Sequence, residues 1–206
     1  MVKKEDNKKI YLSILNQGWI AADLAIKLPR WIHECPYPVT FEQSSSRPIE
    51  HNRNSIVQRF LETNCTHLIQ IDNDTVPLKN PLKLVDVDVD VIACAVPIYQ
   101  EGIIYFNAFE LEQYPEPTYK PIRYINDSKK DVLQEVDAFG TGCFMCSRKV
   151  YETIKYPFKR LYDSDGLEIL GSDIYFSQRV KKAGFKLFTH FGFKAKHIKD
   201  VNLLSL

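Results

Sequence analysis

His67-Leu68-Ile69-Gln70-Ile71 is a short apolar run that ends abruptly at Asp72-Asn73-Asp74. A run of this length, followed by turn-forming residues, predicts a buried β-strand. In parallel α/β sheets, ligands bind beyond the carboxyl ends of the strands, so both aspartates follow the strand at the place where a site is expected. Two carboxylates with one residue between them can face a single divalent cation. The same triplet is also typical of an ordinary polar turn, so its surroundings must decide between the two interpretations.

Apolar runs of strand length alternate with helical patterns on both sides of this stretch. The alternation predicts an α/β fold with a mostly parallel central sheet flanked by helices. The predicted strands cover residues 10–15, 39–43, 67–71, 89–98, 103–111, 132–138, 143–146 and 185–191. The predicted helices cover residues 18–33, 50–62, 148–154 and 172–183, with a short helix after Pro81. The helix over 172–183 has the clearest ends, because Ser172 can cap its start and Gly184 can stop it.

Length and composition indicate one ordinary globular domain. The chain has 206 residues, of which 45% are apolar and 26% charged, with a formal net charge of +1. We therefore expect residues 1–206 to form a single domain, with no nucleic-acid partner indicated. The apolar run after residue 9 is interrupted by polar residues before a signal peptide or membrane span can form. Five cysteines without framework spacing favour a cytoplasmic, reducing location, in which Cys143 and Cys146 are buried structural thiols on opposite faces of a strand.

A second set of aspartates has the same spacing as Asp72 and Asp74. Asp86, Asp88 and Asp90 come before the apolar run that starts at residue 91, so they are expected at the amino end of a strand. That end lies away from the ligand-binding edge of a parallel sheet. We interpret these three side chains as a solvated polar face.

Arg53 lies on the apolar side of the predicted helix that precedes the first aspartates. It shares a helical face with Val57 and Phe60, at i, i+4 and i+7. A buried guanidinium needs an anionic partner, which could be a ligand diphosphate or one of the aspartates. The sequence leaves three roles open for Arg53: it could contact a ligand, form a structural ion pair, or extend its charged end back to solvent.

Four groups of residues occur in one order along the chain. They are Arg53-Asn54-Ser55-Ile56-Val57 with 68–74, Gly140-Thr141-Gly142-Cys143-Phe144 followed by Arg148, Ser172-Asp173-Ile174-Tyr175-Phe176, and the closing pair Gly184 and His197. Together they resemble the motifs of GT-A glycosyltransferases related to glycosyltransferase family two, over residues 10–199 or nearly the whole chain. Each motif is unspecific alone, and motif likeness remains analogy until a site is shown. The resemblance implies a single GT-A, Rossmann-like domain.

The resemblance also implies an activity and a site. The activity is metal-dependent transfer of a sugar from a nucleotide-sugar, with UDP as the preferred nucleotide, to an unidentified hydroxyl acceptor. Asp72, Asp74 and His197 would hold Mn²⁺ or Mg²⁺, whereas His190 lies within a strand pattern and is expected to pack. Asp173 would be the general base of an inverting reaction, although Ser172 stands where an acidic residue is usual, which leaves the stereochemistry open. The implied donor contacts are Asn16, Gln17, Gln43, Arg53, Asn54, Asp72, Asn73, Gly140, Thr141 and Gly142.

Two other function classes fit parts of the same pattern. A sugar-phosphate nucleotidyltransferase would be expected to have a glycine-rich phosphate loop after the first strand, but residues 15–19 contain a single glycine, Gly18. A non-catalytic carbohydrate- or nucleotide-binding protein is favoured only if the aspartates are turn residues. Trp19 could stack on a base or sugar, or belong to the core. The acceptor is expected to depend on the loops over 99–131 and 156–170.

Overall fold

The computed structural model describes residues 7–100, 102–113, 119–124 and 133–199. The helices are α1 (Ala22–His33), α2 (Ile49–Glu62), α3 (Arg148–Thr153) and α4 (Ser172–Lys182), with a 3₁₀ helix over Pro81–Asp86. The strands are β1 (Ile10–Leu15), β2 (Val39–Ser44), β3 (His67–Asp72), β4 (Thr75–Pro77), β5 (Val91–Ala95), β6 (Pro97–Gln100), β7 (Ile103–Phe106), β8 (Ala108–Gln113), β9 (Tyr119–Tyr124), β10 (Leu133–Val136), β11 (Ala138–Phe139), β12 (Cys143–Ser147), β13 (Leu161–Tyr162), β14 (Glu168–Leu170) and β15 (Leu187–His197). Among the described helices, none is both long enough and apolar enough to cross a membrane.

The central sheet has eight strands. Seven follow the order β10-β15-β5-β12-β3-β1-β2, and β4 pairs separately with β15. Of those seven, β2, β1, β3, β5 and β15 point the same way, whereas β12 and β10 run against their neighbours. The prediction of an α/β fold with a mostly parallel central sheet is confirmed. Smaller antiparallel sheets join β11-β8-β9, β13-β14 and β6-β7.

The core consists of two apolar layers, one on each face of the sheet. One layer contains the buried faces of α2, α3 and α4, and the other contains those of α1 and the 3₁₀ helix. Strand β12 contributes to both layers, because its side chains alternate: Phe144 and Cys146 join the first layer, and Cys143 and Met145 the second. The predicted burial of the two cysteines on opposite faces is therefore confirmed.

Several predicted boundaries were wrong. The first helix begins at Ala22 rather than at residue 18, because residues 16–21 form a loop in which Asn16 Oδ1 accepts a hydrogen bond from the Gly18 N–H at 2.7 Å. The apolar run 89–98 is divided, because β5 stays in the central sheet while β6 leaves it to pair with β7. The N-cap position of α4 is Gly171, and Ser172 makes no capping hydrogen bond.

Two further predicted strands are also divided. The run 103–111 breaks at Asn107, which separates β7 from β8, and the run 132–138 breaks at Asp137, which separates β10 from β11. The last strand runs to His197, beyond the predicted end at residue 191. The extension occurs because β15 bends at residues 190–194 and continues along β4.

Candidate functional site

The carboxyl ends of β1, β2 and β3 lie level with one another. Leu15, the last residue of β1, is in register with Ser44 of β2 and with Asp72 of β3. The candidate site lies at this edge, because Asn73 and Asp74 directly follow β3 and extend beyond the sheet. The other aspartate series does not share it: Asp86 and Asp90 precede β5 and bond to Tyr37 and Ser147, respectively.

Asp72 is held by Arg53. Arg53 is 1% exposed, and its Nη2 donates to Asp72 Oδ1 at 2.8 Å and to the Thr141 carbonyl at 3.1 Å. Its Nη1 donates to Gln70 Oε1 at 3.1 Å. The same side chain lies over the rings of Phe144 and Phe158. Of the alternatives left open by the sequence, the structure shows an ion pair with an aspartate of the candidate site.

Burial raises the pKa of Asp72 to about 6. Arg53 opposes this rise, whereas the charges of Asp173 and Asp74 add to it. Asp173, from a distant part of the sequence, is therefore close enough to Asp72 for the two charges to influence each other, as Asp72 and Asp74 also do. Such a concentration of negative charge is unfavourable unless cations balance it.

Asp74 is paired with residues at the end of β15. The Nε2 of His197 lies 3.4 Å from Asp74 Oδ2, and Lys199 Nζ donates to the same oxygen at 2.6 Å. Burial alone would raise the pKa of Asp74, but its contacts with His197 and Lys199 outweigh burial and lower the pKa to about 2. The backbone fixes this pairing, because the N–H of Ile198 donates to the Asp74 carbonyl at 2.8 Å.

The second ring nitrogen of His197, Nδ1, makes a contact that fixes the tautomer of the ring. Its Nδ1 lies 2.8 Å from the carbonyl oxygen of Pro97. A carbonyl only accepts hydrogen bonds, so Nδ1 carries the hydrogen, and in the neutral ring the Nε2 lone pair is left for a ligand. In metal-binding histidines, the ring nitrogen that does not bind the metal usually donates to a backbone carbonyl or carboxylate in this way.

The predicted metal ligands are only partly brought together. Asp74 and His197 meet, whereas the Oδ1 atom of Asp72 is directed to Arg53. Within the described ranges, no group of three or more His, Cys, Asp or Glu side chains could hold a metal ion by itself. A carboxylate oxygen and an imidazole nitrogen nevertheless suit Mn²⁺ as a partial shell, with further positions for ligand oxygens or water.

Asp173, in the first turn of α4, is fixed by the glycine-containing loop. Thr141 Oγ1 donates to Asp173 Oδ1 at 2.6 Å, and the Thr141 N–H donates to Oδ2 at 3.3 Å. Thr141 is 1% exposed, so water does not compete for these bonds. The carbonyl of Thr141 also accepts from Arg53. Thr141 therefore contacts both Asp173 and Arg53, the residue that pairs with Asp72.

Side chains approach both glycines of the loop closely. A Cβ on Gly140 would lie 1.3 Å from the side-chain nitrogen of Asn107, and one on Gly142 would lie 3.0 Å from Thr75 Oγ1. The Gly142 carbonyl accepts from the Asp72 N–H at 2.8 Å. The loop therefore packs directly against the end of β3.

The remaining predicted donor residues fall into two groups. Asn16, Gln17 and Gln43 follow or end β1 and β2 at the same edge of the sheet as Asp72, and Gln17 and Gln43 are exposed. Asn54 and Asn73 instead make internal bonds. The Asn54 side chain exchanges hydrogen bonds with the backbone of Phe158, and Asn73 donates to the carbonyl of Trp19, whose indole is half exposed.

A cleft of about 250 Å³ opens beside Asp173. It lies between the start of α4 and the segments around β8 and β14, and is lined by Asn107, Phe109, Arg160, Glu168, Gly171, Ser172, Asp173 and Ile174. Sequence reasoning named only Asp173 individually, but Asn107, Phe109, Arg160 and Glu168 lie in the loops 99–131 and 156–170 that were expected to determine the acceptor. His190, expected to pack, does so against Phe193.

Other contacts of the site were also missed. Lys199 follows His197 by two residues, and this proximity was the only available signal that it could reach Asp74. Pro97 is 100 residues from His197, and nothing in the sequence links them. Gln70, the third partner of Arg53, was visible only as a polar residue in an apolar strand.

Comparisons with solved structures identify the fold. A197 from STIV is similar at 17% identity and a TM-score of 0.61, over 93% of this chain and 86% of that one. GalNAc-T7, in a crystal structure with UDP, GalNAc and Mn²⁺, is similar at 15% identity and a TM-score of 0.56 over 96% of this chain, which spans 45% of the length of GalNAc-T7. The inositol-1-phosphate CTP transferase from T. maritima reaches a TM-score of 0.48 at 9% identity, too low to support an argument. No protein-family model and no curated protein matches the sequence. The fold of the chain is that of a GT-A glycosyltransferase.

Proposed function

We propose that the chain is a metal-dependent glycosyltransferase that moves a sugar from a nucleotide-sugar, preferably a UDP-sugar, to a hydroxyl acceptor. The GT-A fold supports a transferase of this kind, and GalNAc-T7, which shares the fold, was crystallised with UDP, a sugar and Mn²⁺. The observation that carries the proposal is the pairing of Asp74 with the Nε2 atom of His197, while Pro97 holds Nδ1. This arrangement suits a cation better than it suits a simple surface ion pair, because the second nitrogen is held by a backbone acceptor.

The cation side of the site consists of Asp74 and His197, with Asp72 beside them. When bound, Mn²⁺ or Mg²⁺ would supply positive charge to the leaving diphosphate. Arg53 keeps Asp72 at the end of β3 and balances part of its charge. Gln17 and Gln43 are exposed and Asn16 is partly exposed at the same edge, so these residues could contact the nucleotide.

The acceptor side consists of Asp173 and Thr141. In an inverting reaction, Asp173 accepts the proton of the acceptor hydroxyl as that oxygen attacks the anomeric carbon. The two hydrogen bonds from Thr141 fix the orientation of the carboxylate before substrate binds. Orientation of this kind contributes to rate because it removes motion that would otherwise have to be frozen during reaction.

The first experiment is a screen of UDP- and GDP-sugars that detects release of nucleoside diphosphate, with and without Mn²⁺. Release that requires Mn²⁺ supports glycosyl transfer. Formation of pyrophosphate from a nucleoside triphosphate and a sugar phosphate would instead indicate a nucleotidyltransferase. Donor binding without turnover of any donor would indicate a binding protein.

Two substitutions divide the roles of the aspartates. Asp74→Asn should abolish Mn²⁺-dependent donor binding in a calorimetric titration, since it removes the charged oxygen ligand. Asp173→Asn should lower kcat by roughly 10²–10⁴-fold with little change in donor affinity, as expected for a general base. Asp88→Asn is the matched control, because Asp88 is exposed and precedes β5. Equal kcat in the Asp173 variant would point to another base or to a retaining reaction.

A further inference from the structure

The cleft beside Asp173 has a composition that differs from that of a phosphate or carboxylate site. We propose that it is the acceptor subsite and that it binds a neutral sugar ring, which would make the acceptor a glycan or simple glycoside. The inference rests on the proposed glycosyl transfer, since it takes Asp173 as the base. It adds the chemical class of the acceptor and the residues that select it.

The position of the cleft beside Asp173 supports its assignment as the acceptor subsite. Asp173 lines the cleft while Thr141 holds both of its oxygens from behind. A hydroxyl group of a molecule in the cleft would thus lie next to the one side chain that the mechanism needs as proton acceptor. Ser172, the neighbour of Asp173 in the lining, is buried, and its hydroxyl lies 3.4 Å from Asp173 Oδ1.

The charge of the cleft disfavours an anionic acceptor. Its lining has one cation, Arg160, and two carboxylates, Glu168 and Asp173, which gives a formal charge of −1. Arg160 is already engaged, with Nη1 2.7 Å from Glu168 and Nε 3.5 Å from Glu50. A phosphate or uronate would meet excess negative charge and would have to break an existing ion pair to reach a cation.

The polar groups of the cleft suit hydroxyls. Asn107 is fixed through its backbone, because its N–H donates to the Val96 carbonyl and its own carbonyl accepts from the Gly140 N–H. Its side-chain amide makes no hydrogen bond to any described residue, so a donor and an acceptor are available together. Hydroxyl groups both donate and accept, and an amide beside a carboxylate can bond two of them at once.

Size and the apolar wall narrow the ligand further. Phe109 and Ile174 add apolar surface to the lining, which suits the C–H face of a sugar ring. About 250 Å³ is less than the roughly 300–1,000 Å³ of pockets that hold drug-sized molecules. The cleft therefore has room for one ring, with the rest of a longer acceptor outside.

The test compares three sets of small probes. They are the methyl glycosides of glucose, galactose and mannose, the corresponding uronic acids, and a serine- and threonine-containing peptide. Saturation-transfer NMR measures their binding directly, and acceptor-dependent release of nucleoside diphosphate measures their use. We expect neutral methyl glycosides to bind and to act as acceptors at least tenfold better than the uronates.

Glu168→Gln is the decisive variant. It removes one negative charge and releases Arg160, so we expect the preference to shift at least fivefold towards the uronates. Glu168 is partly exposed, and the variant should fold; a thermal melt checks this. Glu34→Gln, which breaks the exposed ion pair with Arg30 on α1, is the control and should leave the preference unchanged.

The outcomes separate this inference from the proposed function. Donor hydrolysis without any preference for neutral glycosides, or with preference for the peptide, would overturn the sugar subsite and leave glycosyl transfer intact. Glycoside binding that responds to Glu168→Gln, in a protein that turns over no donor, would overturn the transferase and support the sugar-binding cleft. An unchanged preference in the Glu168 variant would place the acceptor elsewhere.

Discussion

Replacing Arg53 with methionine should destabilise the fold far more than a comparable change elsewhere on the same helix. Methionine keeps much of the side-chain volume and its packing against the aromatic rings beneath, but it removes every hydrogen-bond donor. Asp72 Oδ1, Gln70 Oε1 and the Thr141 carbonyl all lose the guanidinium. The substitution therefore tests whether this buried cation holds the candidate site together.

The magnitude follows from those contacts. Removing one partner of a buried ion pair costs about 3–5 kcal/mol, because the other charge is left uncompensated. Each orphaned acceptor adds roughly 1–3 kcal/mol if water cannot reach it. The side chain of Asp72 is 22% exposed and can take up a proton, which limits the total. We expect a loss of about 3–5 kcal/mol in the free energy of unfolding, or roughly 6–20 °C in Tm for a chain of this size.

The effect should depend on pH in a defined direction. Burial raises the pKa of Asp72 from 3.8 to about 6 in the folded chain, so the folded state binds this proton more tightly than the unfolded state does. The contribution of Asp72 to stability is thus largest below about pH 4 and is lost as pH rises through about 6. Without Arg53, the ionised form is less favourable still. The difference between the wild type and the variant should therefore narrow as the pH falls from 7 to 5.

Urea unfolding, followed by far-ultraviolet circular dichroism, measures these free energies. Arg59→Met is the matched control, because Arg59 lies on α2 and pairs with Glu42 but is 41% exposed; its loss should be below about 1 kcal/mol. Adding Asp72→Asn to Arg53→Met should restore roughly 1–3 kcal/mol of the lost free energy of unfolding, which is the coupling expected of neighbours in one network. A loss of less than 1 kcal/mol in Arg53→Met would refute the reasoning.

Three other changes test separate contacts of the site. Lys199→Ala should tighten Mn²⁺ binding by roughly 1.5- to 5-fold, because it removes the ammonium that lies 2.6 Å from Asp74, and an exposed ion pair is worth roughly 0.2–1 kcal/mol. Calorimetric titration of Mn²⁺ without donor measures the affinity, and weaker binding would contradict the prediction. Gly140→Ala should lower the free energy of unfolding by about 1–3 kcal/mol, because the new Cβ would overlap Asn107; an unchanged urea midpoint would mean that the amide moves aside freely. The thiol of Cys146, whose pKa burial raises, should resist iodoacetamide until urea unfolds the chain, as peptide mass spectrometry can check.

Local features of the sequence were enough to predict the sheet edge. The run before Asp72 is apolar and short, so β3 and its carboxyl end could be placed from pattern alone. Periodicity placed Arg53 on the buried side of α2, and alternation put Cys143 and Cys146 on opposite faces of β12. In each case the information lies within about seven residues of the feature predicted.

Features that depend on distant segments could not be predicted. The backbone support of His197 comes from Pro97, and the close approach to Gly140 comes from Asn107. The apolar run 89–98 gave no sign that β6 leaves the central sheet, because hydropathy alone does not report which strand a segment pairs with. The loops 99–131 and 156–170 were named as the acceptor loops, but the sequence did not show that they meet the start of α4 in one cleft, because its walls come from three separate stretches of chain.

Arg53 gives the site an order that does not depend on ligand. Its guanidinium bonds to Asp72, and through the Thr141 carbonyl it also supports the loop that holds Asp173. In the proposed reaction, Asp72 lies on the donor side and Asp173 on the acceptor side, so one buried cation sets the spacing of two carboxylates that repel each other. Lysine could not do the same, because a single ammonium lacks the planar fork that reaches three acceptors from a fixed position. The site is therefore assembled by the core beneath it, and a donor and a cation would bind to carboxylates already in place.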